Sequence, residues 1–357
     1  MIYLKAQRFQ KKVAKYWSEW RGTSNQVYFE HRLDEYRQMW KNIASELGVQ
    51  FAELADDLWE LSFLDRRMRV LNYQLELDNP VVLRLAGRKT LVHQILEAEN
   101  IPVPAYQSYS LGNLDKAFEF FRRYPKGCVV KPANGYAGKG VTTHIENIAE
   151  VRNASILASL YGSELLIEPQ IPGECYRLLV FRGRLLDAVC RRGPRLVADG
   201  RRTVGTLISD ENERRYRNNV APIVIDRDCL FTLDWQGFTL DSAPEAGREV
   251  LIKTVHDSSG GFSEVRTVYN SNVTDQICPE IKETAERIAS ILGAEFIGVD
   301  IITPDCRKPL SETGGAVNEV NTTPALHHHY NAAKEKFPRP ALTIAAELLG
   351  LTVEAVI

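Results

Sequence analysis

The residues best suited to chemistry are two acids and an amide near the carboxyl end of the chain. Asp300 lies within the apolar run GVDII, and Glu319 and Asn321 lie within NEVN. Because side chains alternate along a strand, Glu319 and Asn321 are predicted to point to the same face. If the two strands are neighbours, the three side chains converge, and such hard oxygen ligands suit Mg²⁺ bound with nucleotide phosphates. Salt bridges to surface arginines are the alternative, although an unpaired carboxylate in an apolar strand would be costly.

A lysine and a glycine-rich segment form a second candidate feature. Lys131 ends the apolar run VVK before Pro132, where its ammonium could reach a phosphate or simply extend to water. The segment NGYAGKG, residues 134–140, would let backbone N–H groups turn toward a phosphate, but a plain hairpin turn is the alternative. No Ser or Thr follows Lys139, and Thr143 stands where G-x-G-x-x-G needs its last glycine. These departures argue against a P-loop kinase and a Rossmann dehydrogenase.

A third feature is the strand-to-loop exit in LLIEPQIPGE. Glu168 ends the apolar run, and Gln170 and Ile171 lead into the turn pair Pro172-Gly173. An adenine ring needs a slot with apolar walls and a few backbone donors and acceptors, and such an exit can supply them. On its own, the segment is equally typical of an ordinary strand end.

The composition excludes several classes of function. The 357 residues are enough for two domains, or three lobes, at about 150 residues per domain. A net charge of −2 gives no bulk attraction for nucleic acid or for an anionic membrane. The six cysteines are at least fifteen positions apart, so they lack zinc or redox spacing and indicate free thiols in a reducing compartment. The sequence contains neither a signal-peptide pattern nor a run long enough to span a membrane, which predicts a cytoplasmic protein.

The hydrophobic pattern predicts the elements that must position these residues. A helix is predicted over residues 28–49, and one or two short strands before Asn79-Pro80. The helical face is expected to carry Phe29, Leu33, Tyr36, Trp40, Ile43 and Leu47. A helix from Arg88 is expected to point Leu91, Ile95 and Leu96 inward. Residues 126–200 are predicted to form an antiparallel sheet with one helix near residues 150–161, followed by helices over residues 203–217 and 277–293.

Taken in order along the chain, these features resemble the ATP-grasp superfamily of carboxylate–amine ligases. The motifs that carry the resemblance include AGRKTLVHQILEAENIPVP, GCVVKPANGYAGKGV, LLIEPQIPGECYRLLVF, IGVDII and VNEVN, and the likeness covers roughly residues 80–350. The sequence resembles above all the ATP-grasp domain of cyanophycin synthetase; ribosomal-protein glutamate ligases and D-alanine–D-alanine ligase are more distant. The resemblance implies an α+β ATP-grasp fold in which two lobes enclose ATP after a short, partly helical N-terminal lobe. The lobes are expected at residues 1–85, 86–200 and 201–357.

The resemblance also implies roles, position by position. For ATP it implies Lys89, Lys131, Gly135, Gly138, Lys139, Gly140, Glu168, Gln170 and Ile171. For Mg²⁺ it implies Asp300, Glu319 and Asn321, and near the reacting groups Arg177, Arg191, Lys253, Ser258 and Gly260. The sequence departs from the family at one position, because Cys175 stands where the ribose-binding acid usually lies. Glu174, one residue earlier, is the expected substitute.

The reaction implied by the resemblance has two steps and uses ATP and Mg²⁺. A small carboxylate attacks the γ-phosphate to give an acylphosphate, and an amine, such as an amino acid or a peptide, then displaces phosphate to form an amide. The resemblance favours small-peptide or secondary-metabolite synthesis, without nucleic acid or membrane, and is compatible with a homo-oligomer. One of His327, His328 and His329 is expected to line the substrate pocket, since consecutive side chains on an extended chain diverge and cannot easily bind one ion.

Two alternatives remain open at this point. A kinase-like phosphotransferase on the same fold would release a stable phosphorylated product instead of an amide. A non-catalytic nucleotide-binding protein could dock a partner through its N-terminal helical segment. The presence of Lys131, Asp300, Glu319 and Asn321 argues against the second alternative.

Overall fold

The structure is a computed structural model that describes residues 4, 6–12, 25–134, 138–217, 222–254, 270–330 and 335–352. It combines helices with antiparallel strands, which confirms the predicted α+β class. None of the described helices combines the length and the apolar character needed to cross a membrane.

The strands and helices have the following bounds. The strands are β1 (Gln50–Ala55), β2 (Leu58–Phe63), β3 (Arg66–Leu71), β4 (Gln74–Leu75), β5 (Gln107–Tyr109), β6 (Cys128–Pro132), β7 (Thr142–Ile145), β8 (Leu165–Pro169), β9 (Glu174–Phe181), β10 (Arg184–Arg191), β11 (Arg195–Val197), β12 (Glu249–Leu251), β13 (Ser271–Asn272), β14 (Phe296–Thr303) and β15 (Ala316–Thr322). The helices are α1 (Asn25–Leu47), α2 (Pro80–Ala86), α3 (Lys89–Ala98), α4 (Asp115–Arg123), α5 (Ile148–Ala158), α6 (Val204–Arg217), α7 (Arg227–Trp235), α8 (Pro279–Leu292), α9 (Leu310–Thr313) and α10 (Arg339–Leu348).

The chain divides into two compact units, each built from three segments. The first unit comprises Met1–Gln26, Pro104–Gln170 and Arg192–Tyr269; the second comprises Val27–Val103, Ile171–Arg191 and Asn270–Ile357. Both units are therefore discontinuous in sequence, whereas the three lobes expected from the sequence are continuous segments. The lobe boundaries stay a prediction.

A five-stranded antiparallel sheet forms the centre of the second unit, with the strand order β13-β10-β9-β14-β15. Alternation in β9 places Leu178 and Val180 on one face, in a core shared with α8. Leu179 and Phe181 lie on the opposite face, in a core shared with α1 and α10. Arg177 continues this second face. The face is therefore apolar toward one end of β9 and charged toward the other.

The N-terminal part of the second unit is a helix packed on a small sheet. Strands β1 to β4 form an antiparallel meander in sequence order. The predicted helix is α1, and Tyr36, Trp40 and Ile43 are buried on it together with Trp59 of β2. The side chain of Phe29 lies outside those that the structure describes. Strands β1 and β2 were not predicted from the sequence.

The first unit contains a four-stranded sheet and a two-stranded ribbon. The sheet has the order β5-β8-β6-β7 and packs on α4 and α5 around Phe120, Ala154 and Ile167. The ribbon pairs β11 with β12, and α6 and α7 pack on it around Leu233 and Val250.

Two sequence predictions are wrong in detail. The strands of residues 126–200 belong to three sheets: β6, β7 and β8 lie in the four-stranded sheet, β9 and β10 lie in the five-stranded one, and β11 pairs with β12. Strands β8 and β9 are both largely buried on both faces, so alternation could not assign their partners. In α3 the buried residues include Val92 and His93, while Leu91 and Ile95 are only partly buried. His93 lies inward because its Nε2 is 3.1 Å from the carbonyl oxygen of Asn318.

Candidate functional site

Three charged side chains form a row across one face of the five-stranded sheet. In the register of the sheet, Arg177 of β9 lies opposite Asp300 of β14, and Asp300 lies opposite Glu319 of β15. Residues directly opposite each other in antiparallel strands share a face. Asn321 follows two positions after Glu319 and therefore lies on the same face. The two strands that hold the predicted metal ligands are thus neighbours.

Asp300 is the centre of a buried cluster of charges. Its Oδ1 accepts a hydrogen bond from Arg177 Nε, and its Oδ2 accepts one from Arg177 Nη2 at 2.8 Å. Arg191 Nη1 and Asn321 Nδ2 lie 3.4 Å and 3.3 Å from the same Oδ2. The side chains of Arg177, Asp300 and Arg191 are 6%, 5% and 8% exposed. Such a buried ion cluster tolerates removal of one partner poorly, since the remaining charge is left without compensation.

A glycine makes room for this arrangement. A Cβ atom on Gly298, two residues before Asp300 on the same face, would lie 2.8 Å from Arg177 Cδ and 3.0 Å from Pro324 Cβ. The guanidinium can lie beside Asp300 only because residue 298 has no side chain. Sequence reasoning missed Gly298, although its position two residues before Asp300 was visible.

Glu319 is paired with the first residue of α3. Lys89 Nζ lies 3.2 Å from Glu319 Oε1, and the two side chains are 13% and 26% exposed. A lysine predicted to contact phosphate therefore lies next to a predicted metal ligand. Partial exposure keeps both groups available to a ligand that carries phosphate and metal together.

The donor set on this face fits a magnesium ion. Within the described ranges, no three acids, histidines or cysteines are grouped so as to hold a metal by themselves. Asp300 and Glu319 supply two carboxylates, and Asn321 adds an amide oxygen. Mg²⁺ commonly takes one or two carboxylates from the protein and its other oxygens from phosphates and water. The residues therefore fit a metal that arrives with a nucleotide better than a resident metal.

In the first unit, the predicted phosphate lysine and the predicted hinge acid form a buried ion pair. Lys131 of β6 and Glu168 of β8 lie on adjacent antiparallel strands. Lys131 Nζ is 2.7 Å from Glu168 Oε2, and the side chains are 7% and 3% exposed. Glu168 Oε1 is buried and lacks a hydrogen-bond partner among the described atoms. This oxygen is an available acceptor beside a cation, which suits a ligand that carries both a donor and an anionic group.

The other hinge residues are divided between the two units. Gln170 closes its segment of the first unit, with its backbone N–H donating to Gly127 O at 2.9 Å and its Oε1 accepting from His144 N at 3.1 Å. Ile171 and Glu174 belong to the second unit, where Glu174 opens β9.

Part of the glycine-rich loop is described. Gly138 and Gly140 both have φ near +72°, a conformation that favours glycine, and Val141 N donates to Gly138 O at 3.2 Å. Gly138 and Gly140 line a small pocket with Thr143, Asp228 and Phe231. Lys139 is described as well, whereas Gly135 lies outside the described residues.

Lys253 has a carboxylate partner that the sequence did not suggest. Its ammonium forms a buried ion pair with Asp226, which in turn caps α7 by accepting from Cys229 N at 3.0 Å. Lys253 therefore links the segment after β12 to the start of α7, and this structural role is separate from the predicted contact with substrate. The other two residues expected near the reacting groups, Ser258 and Gly260, lie outside the described residues.

Comparison with known proteins relates this arrangement to a class of ligases. No protein-family model matches the chain. Cyanophycin synthetase of Nostoc sp. is 28% identical over 349 residues, covering 92% of this chain and 38% of that protein. Cyanophycin synthetase of Crocosphaera subtropica is 33% identical over 257 residues, covering 70% of this chain and 29% of that protein. A bifunctional glutathione biosynthesis protein of Streptococcus mutans is 28% identical over 265 residues, covering 71% of this chain and 34% of that protein.

Among solved structures, the bifunctional glutathione synthetase of Pasteurella multocida superimposes with a TM-score of 0.60 at 21% identity, covering 91% of this chain and 45% of that one. The fold is an α+β fold of the ATP-grasp kind, and the predicted resemblance to ATP-grasp carboxylate–amine ligases is confirmed. Within that class, the sequence likeness to cyanophycin synthetases runs over most of the chain. The chain spans less than two fifths of the length of these relatives.

Proposed function

We propose that this chain is an ATP-dependent carboxylate–amine ligase. A substrate carboxylate would attack the γ-phosphate of ATP to form an acylphosphate and ADP, and an amine would then attack the acyl carbon and release phosphate. The observation that carries the proposal is the row of Arg177, Asp300 and Glu319 on one sheet face. Cations and metal-type oxygen ligands lie side by side there, as phosphoryl transfer requires.

The residues of this row and their neighbours would have two electrostatic roles, binding of the metal and stabilisation of charge on phosphate. Asp300, Glu319 and Asn321 would hold Mg²⁺, which when bound offsets the negative charge of the phosphates. Arg177 and Arg191 would stabilise charge on the transferred phosphoryl group, and Lys89 would contact phosphate from the start of α3. No side-chain nucleophile is needed, because the substrate carboxylate and amine are the attacking groups.

Most of the residues that we propose for nucleotide binding lie in the first unit. Lys131 offers a cation and Glu168 Oε1 an unpartnered acceptor, which together suit a phosphate and an adenine amino group. Gln170 and Ile171 would continue the adenine hinge, with Glu174 at the ribose. Gly135, Gly138, Lys139 and Gly140 would contribute loop N–H groups and a charge to the phosphates. Lys253, Ser258 and Gly260 would contact the reacting groups.

The substrates we propose are a small carboxylic acid and an amino acid or short peptide. The relatives named above synthesise cyanophycin or glutathione, which is consistent with this substrate class. A role in assembling small peptides or secondary metabolites follows from the proposal.

Measurement of ADP release tests the proposal. A panel of carboxylic acids is supplied with ATP and Mg²⁺, with and without amino acids, and the products are identified by mass spectrometry. We expect amide formation that depends on the amine, and loss of ADP release in Asp300→Asn and Glu319→Ala proteins that remain folded. Glu312→Ala, which removes an exposed acid, is the control. A stable phosphorylated product formed without amine would favour a kinase, and unchanged ADP release in both variants would refute the metal site.

A further inference from the structure

A buried acid–histidine pair lies on the charged face of the five-stranded sheet and has no role in the reaction proposed above. His329 Nδ1 and Asp187 Oδ2 are 2.6 Å apart, and the side chain of His329 is 0% exposed. Asp187 Oδ1 accepts from Asn272 Nδ2 at 2.5 Å and from Thr274 Oγ1 at 3.2 Å. The carboxylate is thus held through both oxygens and fixes the imidazole.

The register places this pair beside the Asp300 cluster. Val189 of β10 lies opposite Arg177, so Asp187 and Arg191, each two positions from Val189, share the face of Arg177. His329 comes from the 3₁₀ turn Leu326–His329 that follows β15. The sequence interpretation assumed that the three histidines lie on an extended chain, but they lie on a 3₁₀ turn. The side chain of His329 is buried within the second unit.

The imidazole offers a buried acceptor. With Nδ1–H donating to the Asp187 carboxylate, Nε2 carries a lone pair. Nε2 is buried and has no hydrogen-bond partner among the described residues. Burial lowers the pKa of His329, and the charges of Arg177 and Arg191 act in the same direction, against the effect of Asp187. The ring is therefore neutral at pH 7, and the charges of both guanidinium groups act on it.

Asp300 Oδ2, by contrast, faces more N–H donors than it has lone pairs to accept them. A carboxylate oxygen has two lone pairs, yet Oδ2 faces N–H groups of Arg177, Arg191 and Asn321. Arg191 makes the longest of these contacts, at 3.4 Å, and is the easiest to exchange. An oxygen of Asp300 that ligates Mg²⁺ has still less capacity for N–H donors.

We propose that His329, oriented by Asp187, is a positioning residue that accepts an N–H of Arg191 when Asp300 ligates Mg²⁺. The inference rests on the proposed function and adds the residues that hold Arg191 in place in the metal-bound state. The charges agree with this role, because the negative charges of Asp187 and Asp300 balance the positive charges of Arg177 and Arg191. Arg191 thus keeps a buried acceptor for the N–H group that Asp300 releases.

Mn²⁺ binding to the full chain in the presence of ADP, measured by electron paramagnetic resonance, tests the inference. His329→Asn keeps a donor near the position of Nδ1 and removes the acceptor, whereas His329→Gln places an amide oxygen near the position of Nε2. Both variants lose the ring, so the difference between them isolates the acceptor. We expect Mn²⁺ affinity to fall about tenfold in His329→Asn and to stay within about threefold of wild type in His329→Gln. Asp187→Asn keeps the ring and should weaken Mn²⁺ binding in the same direction as His329→Asn.

The outcomes separate this inference from the proposed function. Wild type that binds Mn²⁺ while Asp300→Asn does not supports the metal site. If His329→Asn and His329→Gln then bind Mn²⁺ equally well, the positioning role is overturned and the proposed function stands. The same holds if the two variants differ in Mn²⁺ affinity only as much as they differ in metal-free melting temperature, because the difference then reflects stability alone. If wild type binds no Mn²⁺ with ADP, the proposed metal site fails, and the inference fails with it.

Discussion

Arg177 and Asp300 face each other across β9 and β14, and one guanidinium donates to both oxygens of one carboxylate. Both side chains are almost completely buried. The pair joins the apolar part of this sheet face to the polar row that ends at Glu319. Its geometry makes Arg177 important for stability as well as for the proposed chemistry.

Arg177→Met removes the guanidinium while keeping much of the side-chain volume. It leaves Asp300 buried without its bidentate partner, while the longer contacts from Arg191 and Asn321 remain, so we expect the free energy of unfolding to fall by about 3 kcal/mol. Urea denaturation measures the change. Adding Asp300→Asn to Arg177→Met should recover part of the loss, because the uncompensated charge is then gone. Arg307→Ala, which breaks an exposed pair with Asp305, should leave the transition unchanged. A double variant less stable than Arg177→Met alone would contradict the account.

Gly298→Ala tests how closely Arg177 is packed. The new Cβ would lie 2.8 Å from Arg177 Cδ, a contact too short to keep, so we expect the side chain of Arg177 to shift. We expect a loss of about 1–3 kcal/mol in stability and a larger proportional loss in ADP release. Gly112→Ala is the matched control, because its Cβ would be 3.6 Å from its nearest neighbour, Ser110 Oγ. Equal activity in the two variants would mean that the position of Arg177 does not matter for turnover.

Local pattern predicted the parts of the fold whose signals lie within one element. The helical spacing of Tyr36, Trp40 and Ile43 corresponds to the buried face of α1. The end of α8 at Gly293, which has φ of 65°, also follows from local sequence. The shared face of Glu319 and Asn321 needed only the alternation of a strand.

Partners distant in sequence could not be predicted in the same way. Asp226 and Lys253 pair over 27 positions, and Asp187 and His329 over 142. Nothing in the local pattern around an acid indicates which distant cation or imidazole it will meet. The division of β8 and β9 between two sheets was hidden for a related reason, since strands buried on both faces carry no alternation.

Lys131 is expected to contribute to nucleotide affinity through its charge, in addition to its packing in the first unit. Lys131→Met removes the buried cation beside Glu168, so we expect the affinity for a fluorescent ATP analogue to fall at least about tenfold. Lys126→Met, which removes an exposed lysine on the turn before β6, should bind as wild type does. In the double variant, Glu168→Gln removes the charge that Lys131→Met leaves without a partner. We therefore expect the double variant to recover the stability that Lys131→Met loses, while its affinity for the ATP analogue stays low. Unchanged affinity in Lys131→Met would limit the Lys131–Glu168 pair to a structural role.

His144 should make the stability of the first unit depend on pH. Its ring packs against Trp235 in a tilted arrangement with the centroids 3.9 Å apart, and burial lowers the pKa of His144 to about 4, from about 6.5 in an unfolded chain. Between these two values the unfolded chain binds more protons than the folded one, so stability is complete above pH 6.5 and is lost as the pH falls toward 4.

His144→Asn removes the titration and tolerates the φ of 54° at this position. Between pH 7 and pH 4.5 we expect wild type to lose about 2 kcal/mol more than His144→Asn, allowing for solvent screening of a partly exposed ring. His329 has a pKa lowered in the same direction, but it is present in both proteins and cancels in the comparison. Urea denaturation at several pH values measures the two slopes, and equal slopes would show that His144 is not the group responsible.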